Sequence, residues 1–148
     1  MKVFNSILVA IDFSENSEYA FDYALSLATQ YNAELTVLHV INEPVDLRGF
    51  YVPHISFEQL EKEIEESAAT MMENFCSSRL GSFTNYHTSI VTGMPYDEII
   101  SVAARIKASL IVLGTHGRTG LDRILFGSTA ERVVRSAPCP VLSVRMPA

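Results

Sequence analysis

A glycine pattern near the C-terminal end of the chain could bind a phosphate group. Gly114-Thr115-His116-Gly117 is followed, after nine residues, by Gly127-Ser128-Thr129. Glycine has no Cβ, so its backbone can adopt left-handed dihedral angles and approach a ligand closely, which lets consecutive N–H groups face one anion. Ser128 and Thr129 would add hydroxyl groups at a helix N-terminus, where the helix dipole favours negative charge. The pattern predicts a nucleotide-binding loop; the alternative is that the glycines form only tight turns and Ser128 only an N-cap.

Two familiar phosphate-binding motifs are absent from this loop. Thr119 stands where G-x-x-x-x-G-K-[ST] needs its second glycine, and no G-x-G-x-x-G follows a predicted strand. Neither a P-loop NTPase nor a Rossmann dehydrogenase is supported. Because the P-loop lysine is missing, Arg118, Arg123 or a divalent cation would have to neutralise a triphosphate.

Asp12 is the candidate ligand for that cation, because it directly follows the first apolar run. A carboxylate beside a polyanion is repulsive unless it binds a ribose hydroxyl, or a Mg²⁺ or Mn²⁺ that bridges to phosphate. The alternative is that Asp12 caps the next helix in a D-x-x-E arrangement with Glu15.

The histidines and cysteines suggest little other chemistry. His116 could donate to phosphate or act as a base, although a loop histidine is more often only solvated. His39, His54 and His87 fall on different elements without metal-ligand spacing, so no zinc site is expected. Cys76 and Cys139 show neither metal-ligand nor C-x-x-C spacing, and we interpret both as packed thiols in a protein of the reducing cytoplasm.

Apolar patterning divides the chain into alternating strands and helices. Continuous apolar runs predict buried strands, and apolar residues at spacings of three and four predict amphipathic helices, the first capped by Ser14 or Asp12. Residues 42–56 follow neither pattern and are predicted to form a lid or an interface. The predicted strands are 7–11, 35–40, 86–92, 110–113 and 141–144, and the predicted helices are 20–31, 57–75, 96–106 and 128–136.

Strict alternation of this kind predicts a three-layer α/β domain with a parallel sheet and helices on both faces. The strand at 86–92 is the least apolar and is expected at an edge. Ligands of such folds bind beyond the carboxyl ends of the strands, where the direction of winding reverses. Asp12, Val40 and Gly114 all occupy such ends.

Composition limits the classes of partner. The 148 residues are predicted to form one domain, 1–148, and carry 17 acidic against 11 basic side chains, a net charge of -6. This charge disfavours nucleic acid, although arginines in the last third could attract a small anion. No apolar run approaches the ~20 residues that span a bilayer, and no signal-peptide pattern is present, so no membrane insertion is expected.

Three segments carry a family resemblance. They are V-A-I-D-F-S at the first strand, L-H-V at the second, and G-T-H-G-R-T-G-L-D-R-I-L-F-G-S-T-A-E-R-V-V-R-S-A-P-C-P-V-L-S-V near the C-terminus. With them the chain resembles the universal stress proteins of the UspA-like superfamily over essentially its whole length, and G-x2-G-x9-G-[ST] is the signature of the ATP-binding branch. The resemblance implies an open, twisted, five-stranded parallel sheet that is Rossmann-like, of the adenine-nucleotide-hydrolase-like type, with strand order 3-2-1-4-5.

The resemblance also implies a set of binding residues. The adenosine side would be lined by Ala10, Asp12, Val40 through its main chain, and Leu113. At a position where relatives often have a second hydroxyl residue this chain has Ala130, for which Thr129 could compensate. The ribose and phosphates would be held by Gly114, Gly117, Arg118, Gly127, Ser128 and Thr129.

The leading functional hypothesis is a cytoplasmic stress-response protein that binds ATP, or AMP or ADP, with Mg²⁺ or Mn²⁺, and acts as a nucleotide-dependent regulatory module toward an unknown protein partner. One alternative is slow ATP hydrolysis or autophosphorylation through His116, Ser128 or Thr129. The other is an interaction protein without nucleotide. The last strand, 141–144, is expected at a sheet edge, and the family resemblance implies a homodimer formed through it.

Overall fold

Five strands and four helices alternate along the part of the chain that the structure describes. The computed structural model describes residues 3–42, 57–116 and 127–147. The strands are β1 Ser6–Ala10, β2 Glu34–Ile41, β3 Tyr86–Thr92, β4 Leu110–Gly114 and β5 Val141–Val144, and the helices are α1 Glu15–Tyr31, α2 Phe57–Arg79, α3 Pro95–Arg105 and α4 Ser128–Ser136. The predicted element order is confirmed. The Ser14 cap predicted for α1 is confirmed, and the apolar periodicity from residue 20 marks only the later part of this helix, because its first turn is polar.

The strands form one parallel sheet in the order β3-β2-β1-β4-β5. This is the predicted α/β arrangement with strand order 3-2-1-4-5. The two edge strands, β3 and β5, are also those that the sequence assigns to edges. β1 and β4 are neighbours in the sheet although β2 and β3 lie between them along the chain, so the direction of winding reverses between β1 and β4.

Alternate residues of each central strand enter two separate cores. Ile7 and Val9 of β1 pack with α1 and α2 on one face. Leu8 between them packs with α3 and α4 on the other face. All three side chains are fully buried. A strand covered on both faces needs apolar residues at successive positions, which explains its continuous apolar run.

Several predictions from the sequence fall outside the described residues. These are residues 43–56 of the predicted lid or interface at 42–56, which include His54, and the loop residues Gly117, Arg118 and Arg123. No helix within the three described ranges is both long enough and apolar enough to cross a membrane.

Candidate functional site

The carboxyl ends of β1 and β4 form the edge where the predicted site residues gather. The two strands lie side by side, with Val9 opposite Val112. After β1 the chain passes into α1 on one face of the sheet, and α4 covers the other face. Connections that leave neighbouring strands toward opposite faces open a crevice between them.

Three apolar residues predicted to contact a ligand share one face of this edge. Ala10 and Val40 are half-buried, and both pack against the core that Leu113 shares with α3 and α4. Leu113 itself is only 4% exposed. The structure therefore brings together Ala10, Val40 and Leu113, from three different strands, on the face that also carries α4.

Asp12 lies in a polar turn that leads from β1 into α1. Its Oδ1 accepts hydrogen bonds from the backbone N–H of Ser14, at 3.0 Å, and from the Ser14 hydroxyl. Its backbone N–H donates to Ser17 Oγ at 3.3 Å. The N-cap of α1 is Ser14, whose Oγ accepts from the Ser17 N–H. The interpretation of Asp12 as a helix cap paired with Glu15 is therefore wrong, and Asp12 instead holds the turn together.

Gly114 lets the end of β4 approach the first turn of α1. A Cβ at this position would lie 3.1 Å from the Asn16 carbonyl oxygen and 3.4 Å from the Asn16 Cβ. The described glycines with positive φ are Gly81 and Gly93, so the expected left-handed conformation is wrong for Gly114. Its role in this structure is close backbone packing.

Gly127 brings the start of α4 against the end of β4. Its N–H donates to the Thr115 carbonyl oxygen, and a Cβ at 127 would lie 3.1 Å from that oxygen. Its φ of -67° is again not left-handed. The Thr115 N–H in turn donates to Val144 of β5 at 3.1 Å. The two ends of the glycine pattern are thus joined by a direct backbone hydrogen bond.

Among the described residues, no side chain caps the N-terminus of α4. Gly127 is the N-cap residue and has no side chain that could accept from the first turn. Ser128 is therefore the first residue of the helix and not its cap, and it is exposed, whereas Thr129 is half-buried. Ala130 is only 3% exposed and packs in the α3 and α4 core, so this position faces the protein interior. Helix N-terminal amides without a cap are a site where an anion is stabilised.

His116 follows the buried Thr115 at the mouth of this edge. Its Nδ1 lies 3.0 Å from Thr115 Oγ1. The imidazole is half-buried and adjoins Gly127, whose added Cβ would come within 3.9 Å of the His116 Cα. The structure thus places His116 beside the start of α4.

A metal would find few protein ligands at this edge. Across residues 3–42, 57–116 and 127–147, no group of three or more His, Cys, Asp or Glu side chains is arranged to hold one. Asp12 can supply one carboxylate, so a bound Mg²⁺ or Mn²⁺ would take most of its oxygen ligands from the nucleotide and from water. His87 pairs with Glu34 at 3.4 Å, away from this edge. Burial raises the pKa of both the Cys76 and the Cys139 thiols, which agrees with their interpretation as packed cysteines.

Two residues near Asp12 were given no role by the sequence. His39 is buried and its Nδ1 lies 2.9 Å from the Ile11 carbonyl oxygen, directly before Asp12. Phe13, directly after Asp12, has a φ of 66°. The L-H-V pattern was the only signal for His39, since a histidine in a buried strand needs a hydrogen-bond partner that only the fold identifies.

Comparison with known proteins gives matches along almost the whole chain. The profile of the universal stress protein family matches residues 4–145. The universal stress protein YxiE of Bacillus subtilis is 36% identical over 148 residues, which cover 97% of this chain and all of that protein. The universal stress protein MJ0531 of Methanocaldococcus jannaschii is 35% identical over 147 residues, 98% of this chain and 84% of that protein.

Solved structures of similar fold include the protein MJ0577 of Methanocaldococcus jannaschii. It is 30% identical with a TM-score of 0.86, and the match covers 99% of each chain. A universal stress protein in complex with cAMP has a TM-score of 0.72 at 22% identity, with 97% of this chain and 98% of that chain covered. One from Archaeoglobus fulgidus in complex with dAMP has a TM-score of 0.59 at 20% identity, with 96% and 98% covered. At these identities the two complexes show a shared fold.

Proposed function

Because this chain belongs to the universal stress protein family, we propose that it binds an adenine nucleotide at the carboxyl ends of β1 and β4. The ligand is ATP, with AMP or ADP as the alternatives. The complexes of fold relatives with cAMP and dAMP support an adenine nucleotide as the ligand class. Binding serves regulation: the protein changes its interaction with a partner protein in the cytoplasm according to nucleotide occupancy.

The N-terminus of α4, which has a glycine as its N-cap residue and lies beside the switch point of the sheet, carries this proposal. Ser128 and Thr129 present hydroxyls and backbone amides there, and the Gly127–Thr115 hydrogen bond fixes the helix start against β4. Phosphate oxygens would accept from these groups. The base would lie against Ala10, Val40 and Leu113, which form the apolar part of the same edge. Gly117 and Arg118 complete the proposed set of phosphate ligands.

Asp12 has two possible contacts with such a ligand, and both use its carboxylate. It accepts from the ribose hydroxyls, or it binds a Mg²⁺ or Mn²⁺ that also contacts phosphate. A bound cation would neutralise phosphate charge. The turn formed with Ser14 holds this carboxylate at the end of β1 in either case.

Calorimetric titration of ATP into wild-type protein and Asp12→Asn, each with Mg²⁺ and with EDTA, tests both the binding and the role of Asp12. We expect wild-type protein to bind, and Asp12→Asn to raise Kd by about tenfold or more, since hydrogen bonds to charged groups are the stronger ones. An equal loss with and without Mg²⁺ indicates a ribose contact, whereas loss of the Mg²⁺ dependence indicates a metal contact. Asp22→Asn makes the same change at an exposed position of α1 and should leave Kd unchanged. Absence of ATP and AMP binding to wild-type protein under both conditions would refute the proposed function.

Dimerisation through β5 is the second part of the proposal. The Pro140 carbonyl accepts from the Ile111 N–H of β4 and the Val144 carbonyl from the Thr115 N–H directly after β4. The backbone groups of Val141 and Ser143 therefore point outward along the open edge. Pairing with β5 of a second copy would satisfy them.

We expect Ser143→Pro to convert the dimer to a monomer of 16.4 kDa in light scattering, because proline removes one outward N–H without touching the β4 ladder. The matched control is Thr88→Pro in β3. There the Asn85 carbonyl and the Gly93 N–H face β2, which places the Thr88 N–H on the opposite open edge. This variant should stay dimeric. A wild-type protein that is monomeric at micromolar concentration would contradict the prediction.

A further inference from the structure

His39 forms a hydrogen bond at the point where β1 leaves the sheet. The Ile11 N–H donates to the Leu38 carbonyl at 2.8 Å, which continues the pairing of β1 with β2. The carbonyl oxygen of the same residue lies 2.9 Å from His39 Nδ1. Because a carbonyl oxygen only accepts, Nδ1 carries a proton and donates. The imidazole thus holds the last backbone carbonyl before Asp12.

Phe13 brings the other side of the turn against the same imidazole. Its φ of 66° lies in the left-handed region, which glycine adopts readily and residues with a bulky side chain rarely adopt. Its ring centroid is 4.5 Å from that of His39 and 6.0 Å from that of Phe75 in α2. An unfavourable backbone conformation persists only where its surroundings hold it in place. His39 therefore contacts the turn twice, through the Ile11 backbone and through the Phe13 ring.

We propose that His39 is a positioning residue of the nucleotide site. The hydrogen bond from its Nδ1–H to the Ile11 carbonyl fixes the turn from Ile11 to Ser14 in the conformation that presents the Asp12 carboxylate, and its ring packs against Phe13. This inference rests on the proposed nucleotide binding. His39 is only 7% exposed and acts from beneath the turn, through Ile11 and Phe13. If the turn also adopts other conformations, the apparent Kd for the nucleotide rises in inverse proportion to the fraction of molecules whose turn is in the binding conformation.

Replacement of His39 by each of the two amide side chains tests the inference. In His39→Asn the amide nitrogen can take the place of Nδ1 and donate to Ile11, whereas in His39→Gln the amide lies one bond further out. We expect His39→Gln to raise the Kd for ATP by about tenfold, because a buried carbonyl loses its donor, and His39→Asn to stay within about threefold of wild type. Equal Kd values for wild type, His39→Asn and His39→Gln would overturn the inference.

A distant core variant separates positioning from general loss of stability. Leu80→Ala, at a buried position between the end of α2 and the start of β3 and so at the opposite end of the sheet, should lower Tm but leave the ATP Kd unchanged. A wild-type protein that does not bind ATP would instead refute the proposed function itself. Independently of any nucleotide, the ¹H–¹⁵N NMR spectrum of the His39 imidazole should show a protonated Nδ1. An unprotonated Nδ1 would overturn the inference even if both His39 variants fail to fold.

Discussion

Gly114→Ala is expected to weaken ATP binding by at least tenfold and to lower the free energy of unfolding by about 1–3 kcal/mol. The new Cβ would lie 3.1 Å from the Asn16 carbonyl oxygen and 3.3 Å from the Asn16 carbonyl carbon. These are backbone atoms of α1 and cannot move aside alone. The first turn of α1 would have to shift away from β4, and with it the Asp12 turn that Ser14 and Ser17 hold. Calorimetric titration and chemical denaturation measure the two effects.

Gly81→Ala is the matched control for this substitution. Gly81 has a φ of +56°, and an added Cβ would meet no atom within 4 Å. Its replacement should also destabilise, by roughly 1–2 kcal/mol, because alanine is unfavourable in the left-handed region. It lies after α2 and away from the proposed site, so ATP affinity should stay at the wild-type value. If both variants lose affinity equally, the loss reflects stability, and the specific role of Gly114 is wrong.

Phe21→Ala is expected to lower the free energy of unfolding by about 3–5 kcal/mol, which corresponds to a fall in Tm of roughly 6–20 °C. Phe21 lies on α1, and its side chain is fully buried in the core between this helix and the sheet. Its ring packs edge to face against that of Phe75, with 5.0 Å between the ring centroids. Its removal leaves a cavity between α1, α2 and the sheet. Urea denaturation of wild type and variant measures the difference.

Tyr23→Ala gives the comparison on the same helix. Tyr23 is 45% exposed and packs edge to face with Tyr19 at 5.4 Å. Its loss should change the free energy of unfolding by no more than about 1 kcal/mol, since nearly half of its surface is already in water in the folded protein. A Phe21→Ala variant no less stable than Tyr23→Ala would mean that α1 does not pack as described.

Much of the fold was predictable because buried strands and helices have characteristic patterns of apolar residues in the sequence. The run Ile7-Leu8-Val9 predicts a strand covered on both faces, and the structure places Ile7 and Val9 in one core and Leu8 in the other. Element ends were less predictable. The polar start of α1 has no periodicity, so only the candidate caps Ser14 and Asp12 indicated where this helix begins, and the structure identifies Ser14 as the cap.

Which residues lie at the carboxyl edge of the sheet was predictable, but their contacts were not. The glycine spacing and the strand ends indicate Asp12, Gly114 and Gly127. The predicted reason for glycine at 114 and 127, a left-handed φ, was wrong. A left-handed φ and close backbone packing both require glycine, so the sequence does not distinguish them. Only the Asn16 and Thr115 contacts distinguish them. Gly117 and Arg118 stay predictions.

The sequence by itself determined the order of elements, the layers of the α/β fold and the family, since each depends on local patterning or on a contiguous motif. Tertiary structure decided which residues hold the site. His39 is 28 residues from the Ile11 carbonyl that it binds, and Gly114 is set by a helix that begins about a hundred residues earlier in the chain. Contacts between such distant positions arise from the pairing of parallel strands, and no local pattern records them.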